Sequence, residues 1–300
     1  AIGSCRRVLC LSCCNAGRKD PRRISKIIGL ARSRMFMRPI LIIVSLFICS
    51  LAAPAQKRVE TGFLNRSLVL NKLEYRYQVY VPREFSKAQK WPVIVALHGG
   101  GEYGNDGLKQ TQVGLATAVR LHPERFPAII VFPQAKPDGT PGWQLDGGKA
   151  AMQALDNAVK EFNGDRSRLY LTGYSAGGNG TWFLGSRYAD RFAALVVVCG
   201  FVSDFKSPSN GIMYPAIIPS VSRGEIYPSL AAKVARIPIW ILHGNKDDIV
   251  LPEDSRQMEA ALKKVGADVR YTEIPGANHN AWDPSYGRAD VIEWMLKQRK

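Results

Sequence analysis

At 300 residues and 46% hydrophobic, the chain is long enough for one large α/β domain or two small ones, and it has ample material for a core. Its formal charge of +16 suggests a polyanionic partner, but ten of the 41 basic residues and only one of the 25 acids fall in the first 55 positions, which leaves +7 on residues 56–300. That remainder has no block of five basic residues and no nucleic-acid module signature, so nucleic acid is excluded as the expected partner.

The first 55 residues read as a leader. Arg38 precedes the apolar run Pro39 to Leu51, and Ala52-Ala-Pro-Ala55 follows as an A-x-A-like cleavage site. A signal peptide is expected over about 37–55, with cleavage after Ala55 and export to the periplasm or the medium. The apolar run is about a dozen residues, short of the roughly 20 that a membrane span requires, so no stable membrane insertion is expected. Residues 1–34 are assigned no part in the mature fold. Cys10, Cys13 and Cys14 lie in this stretch without a second pair, so they do not read as a metal site, and after Ala55 only Cys199 remains. An exported domain with one cysteine has no disulfide framework and relies on its core.

From residue 56 the pattern is that of a single domain. Leu73 to Val81 alternates Tyr75, Tyr77, Val79 and Val81, as an antiparallel-type strand does, and Pro82 ends it. Pro92 to Leu97 is a continuous apolar run, expected of a strand buried on both faces, and it runs into His98-Gly-Gly-Gly101-Glu102-Tyr103. A helix is expected over Leu108 to Leu121, a strand over Ala128 to Phe132, and a turn-rich loop carrying an exposed-looking Trp143. Lys149 to Phe162 has helical spacing. Arg168 to Thr172 reads as a buried strand, Ala176 to about Tyr188 as a helix and Ala193 to Cys199 as a strand. Ser203 to Ser229, with four prolines and no clear period, reads as a small insertion over the site. Strands at Pro238 to Leu242 and Val269 to Ile274, with helices at about Glu253 to Val265 and Ala289 to Gln298, complete the alternation. The expected fold class is α/β, a mostly parallel central sheet flanked by helices.

Between the strand at 168–172 and the following helix, Gly173-Tyr-Ser175-Ala-Gly177 fits G-x-S-x-G, a strained turn that lifts a serine hydroxyl above the sheet. Small residues are needed there because neighbouring backbone comes too close for a Cβ. A serine nucleophile requires a base and a carboxylate to orient it. Of four histidines, His98 and His243 end buried strands and suit structural hydrogen bonds, and His122 sits in a surface loop. His279, in the loop after the last strand, stands where the order Ser…Asp…His places the base. Asp247 and Asp248, after the preceding strand, are both open as the acid. Glycines after the strand at 92–97 can point backbone N–H groups into the same cleft.

Together, Leu97-His-Gly-Gly-Gly-Glu102, Arg168 to Gly178, Tyr188 to Ala194, His243-Gly-Asn-Lys-Asp247 and His279-Asn-Ala-Trp282 resemble the α/β-hydrolase superfamily from about Leu73 to Gln298. Within it the chain is similar to secreted esterases related to polyhydroxybutyrate depolymerases and feruloyl and acetylxylan esterases, and to the phospholipase/carboxylesterase group of the prolyl-oligopeptidase-like clan. The resemblance implies a Ser175, Asp247, His279 triad, because its pattern H-G-x-x-D-x-x-V falls on Asp247. It also implies an oxyanion hole from Ala176 N–H with Gly100 or Gly101, and no metal or cofactor. The implied activity is hydrolysis of a small-molecule or polysaccharide-linked ester, such as an acetyl or feruloyl ester. The alternatives are a peptidase of the same clan and a non-catalytic binding module. Glu102, Tyr103 and Trp143 are the expected substrate-binding residues.

Overall fold

The computed structural model describes residues 60–136, 142–208 and 211–300; the leader and its cysteines lie outside the described residues. Eight strands form one sheet: β1 (Gly62–Leu70), β2 (Leu73–Val81), β3 (Trp91–Leu97), β4 (Ile129–Pro133), β5 (Gly164–Tyr174), β6 (Ala194–Val198), β9 (Ile239–Gly244) and β10 (Val269–Ile274). Their order is β1-β2-β4-β3-β5-β6-β9-β10. β1 and β2 are antiparallel to their neighbours, and β4, β3, β5, β6, β9 and β10 run parallel. Two further short strands, β7 (Phe205–Lys206) and β8 (Met213–Tyr214), form a separate hairpin.

The central strands are apolar throughout because both of their faces are covered. Val93, Val95, Leu97, Leu171 and Val197 point into one core, with helices α2 (Asp146–Glu161), α3 (Ala176–Arg187), α4 (Arg223–Val234) and α5 (Glu253–Lys264). Ile94, Ala96, Tyr170, Val196 and Leu242 point into the other, with α1 (Leu115–Leu121), α6 (Trp282–Tyr286) and α7 (Ala289–Lys297). Because β3, β5, β6, β9 and β10 are parallel, the loops after their carboxyl ends collect along one edge of the sheet, where ligands bind in open α/β folds. Among the described residues, no helix is long and apolar enough to cross a membrane.

Three elements depart from the sequence expectations. β1 shows only partial burial, so its alternation is weak. It is fixed instead by a two-residue turn at Asn71 and Lys72, both at positive φ, which matches the twist of the hairpin. The helix expected over 108–121 is divided: Lys109–Thr111 is a 3-10 turn, and Gly114 at φ +71° separates it from α1. The irregular insertion ends at Ser222 rather than Ser229. α4 begins at Arg223 and tolerates Pro228 because Ile226, Leu230, Ala231 and Val234 bury against the core.

Candidate active site

Ser175 sits between β5 and α3 at φ 53°, ψ −120°, a strained conformation for a residue with a side chain. Its N–H donates to the Val198 carbonyl at 3.0 Å, which ties the turn to β6. A Cβ on Gly177 would collide with the carbonyl oxygens of Leu97 and His98, and one on Gly173 with the Gly177 carbonyl. The turn therefore exists only because both positions lack side chains.

His279 Nε2 lies 3.0 Å from Ser175 Oγ. On the other side of the ring, Nδ1–H donates to Asp247 Oδ2 at 2.8 Å. Asp247 is 3% exposed, and its Oδ1 accepts from Ile249 N–H at 3.0 Å and Val250 N–H at 2.9 Å. Burial alone would push this carboxyl up, but hydrogen bonds to His243, His279 and Val250 outweigh it and hold the group well below the usual carboxylate range. Asp248, next to it, is exposed. With Nδ1 bound to the carboxylate, Nε2 faces the serine as an acceptor, the arrangement needed to take up its proton.

Ala176 opens α3, so its N–H has no intrahelical acceptor. Gly100 and Gly101 follow β3 in a 3-10 turn, and all three residues line a cleft of about 230 Å³ with Ser175 and His279. His98 braces this loop. Its Nδ1–H donates to the Gly99 carbonyl at 2.7 Å, and Nε2 accepts from Ala135 N–H at 2.9 Å. Burial pushes the His98 imidazole down to about 4, against the opposing effect of the Gly99 bond.

Of the three residues expected to touch substrate, only Glu102 lines the cleft. Its Oε2 accepts from Tyr174 O–H at 2.8 Å, and burial raises its carboxyl above the ordinary range despite that bond. The expectation of an exposed Trp143 on the cleft wall is corrected. Trp143 is 2% exposed and packs on the Gly180 backbone of α3 and on the His98 ring, 4.7 Å away, and its Nε1–H donates to the His98 carbonyl at 3.2 Å. A turn-rich loop placed it at the surface in sequence, but the glycine in the facing helix opens a seat for it. Tyr103 is also buried, with the Tyr214 hydroxyl 3.1 Å from its own, and does not line the cleft.

The walls instead include Phe201, Phe205, Tyr214, Ile249 and Trp282. Trp282 lies edge-on to His279 at 5.6 Å and against Tyr174 at 4.7 Å. Its position three residues after His279 was a legible signal; the aromatic residues of the insertion carried none beyond their composition. Among the described residues, the one grouping with metal-ligand spacing is Cys199, Asp247 and His279. Two of these are bound to each other, and burial pushes the Cys199 thiol up, so it keeps its proton.

The strand order and the sharp turn at Ser175 define an α/β-hydrolase fold. Residues 146–298 match the prolyl oligopeptidase family, and the chain belongs to that family. Residues 77–198 match a second family, BD-FAE. An acetylxylan esterase/xylanase of Neocallimastix patriciarum, XynS20E, is 29% identical over 62% of this chain and 23% of its own length. YuxL of Bacillus subtilis, an uncharacterised peptidase, is 27% identical over 66% of this chain and 32% of its own. The chain thus spans about a third or less of these two relatives. The crystal structure of a thermostable esterase is 26% identical with a TM-score of 0.64, covering 80% of this chain and 64% of that one.

Proposed function

We propose that this protein is a serine hydrolase of carboxylic esters, and the observation that carries the reading is the Ser175–His279–Asp247 relay at 3.0 and 2.8 Å. Ser175 Oγ attacks the ester carbonyl while His279 Nε2 takes its proton; His279 then returns that proton to the leaving alcohol, and water repeats the sequence on the acyl-enzyme. Asp247 keeps the imidazole oriented. The N–H of Ala176, with Gly100 or Gly101, holds the oxyanion, each donor contributing about 3 kcal/mol in comparable sites.

A cleft of about 230 Å³ is small for a ligand pocket and is walled by aromatic side chains. This supports a short or planar acyl group, acetyl or feruloyl on a polysaccharide, over a long aliphatic chain. The acetylxylan esterase relative supports the same reading. The leader supports export of a product that starts at Gln56, which the intact mass of the secreted protein checks.

Peptide hydrolysis is the second reading, favoured by the family match and by the peptidase relative. One experiment addresses both. Purified protein should turn over p-nitrophenyl acetate faster than short chromogenic peptides, and Ser175→Ala should lose about 10⁴-fold or more of that turnover. Peptide turnover above ester turnover reverses the order of the two readings, and an unimpaired Ser175→Ala protein removes both.

A further inference from the structure

His243 is the penultimate residue of β9, four residues before Asp247, and both side chains are fully buried. Its Nε2 lies 2.8 Å from the Val250 carbonyl and 3.2 Å from Asp247 Oδ2. Both neighbours are acceptors, so Nε2 carries the hydrogen. Nδ1 faces Ser255 Oγ at 2.7 Å, and the Ser255 hydroxyl can donate to it and fix that tautomer. Val250 is therefore held twice, its N–H on Asp247 Oδ1 and its carbonyl on His243. The acid loop closes into a ring, and among the described residues its side-chain donor from the sheet is His243.

Ser255 lies in the first turn of α5, beside Asp254. Asp254 accepts from Val202 N–H at 2.9 Å, Ser203 N–H at 3.0 Å and Tyr227 O–H at 2.7 Å. One turn of helix thus anchors the cleft wall that begins at Phe201 and, through His243, the loop that carries the acid.

We propose that His243 is a positioning residue for hydrolysis: its Nε2–H, directed by Ser255, holds the Asp247 carboxylate and the Val250 turn in register with His279 Nδ1. The proposal rests on the triad reading above. A carboxylate can swing about its last torsion, and a small misalignment of a catalytic group costs rate out of proportion to its effect on the fold. His243 Nε2 lies 3.2 Å from the same Oδ2 that His279 Nδ1 meets at 2.8 Å, so it resists that swing at the oxygen His279 uses.

The test compares His243→Gln, whose terminal amide keeps a donor near Nε2, with His243→Leu and Ser255→Ala, using p-nitrophenyl acetate and thermal melting. The expected result is a kcat loss of about 10- to 100-fold in His243→Leu, the range seen when a group orienting a functional ligand is removed. KM stays near wild type, Ser255→Ala falls in between, and His243→Gln recovers most of kcat. If His243→Leu does not fold, Ser255→Ala and His243→Gln carry the comparison. Folded variants that melt earlier but keep kcat within about twofold would give His243 a structural role only and overturn the proposal. A Ser175→Ala protein with wild-type turnover overturns the triad reading itself, so the two failures are distinct.

Discussion

On the Ser175 side of the cleft, position is set by backbone packed against backbone. Gly173 and Gly177 have no room for a Cβ, Ser175 is held at positive φ, and the flanking strands β3 and β6 are fully buried. The wall contributed by the insertion is built otherwise. Phe205 and Tyr214, on a hairpin of two residues per strand, meet each other and Phe201, just before the insertion, ring to ring at 4.6 to 6.2 Å, and Phe205 is only partly buried. Steric exclusion fixes the first wall with no alternative arrangement; aromatic contacts shape the second and leave room for substitution. On the proposed function, bond-making chemistry belongs on the first kind of surface, where small displacements are costly, and selection among acyl groups on the second.

The comparison can be broken at three points. The largest effect is expected from Gly177→Ala, which sets a methyl against the Leu97 and His98 carbonyls. A loss above about 4 kcal/mol, or no soluble protein, is expected from urea unfolding. A variant with near wild-type stability would mean that the elbow yields, and the contrast between the walls would go with it. Next is Trp143→Ala, which empties a fully buried seat against His98, behind the loop at Gly100. It should cost about 3–5 kcal/mol of stability while leaving the ratios of kcat/KM among acetyl, butyryl and feruloyl esters unchanged below its melting temperature. A selective loss of feruloyl turnover would return Trp143 to the cleft wall. The smallest is Phe205→Ala, expected to lower kcat/KM about tenfold for a feruloyl ester and by less than about twofold for an acetyl ester, with little change in melting. Equal losses on both esters would show that the insertion does not select.

Legibility in the sequence followed the range of the interaction. Strands buried on both faces, such as β3 and β6, announce themselves as apolar runs, and β10 forms over Val269–Ile274, where the alternation of elements places it. α4 was obscured because Pro228 argues locally against a helix, and only packing of Leu230 and Val234 on the core overrides that cost. Trp143 was misplaced for a similar reason: its neighbours are turn formers, while its seat is made by Gly180, 37 positions away in the chain.

By itself the sequence determined the strand and helix alternation, the serine between its glycines, and the order of serine, acids and histidine along the chain. These are local signals, carried by period, by turn chemistry and by spacing. Only the tertiary structure decided which of two adjacent carboxylates faces His279, that His243 stands behind it, and that Tyr103 and Trp143 lie under the cleft rather than in it. Adjacent residues carry the same local signal whichever way they point. Their direction is fixed by parallel strands that bring loops 72 and 32 residues apart to one edge of the sheet.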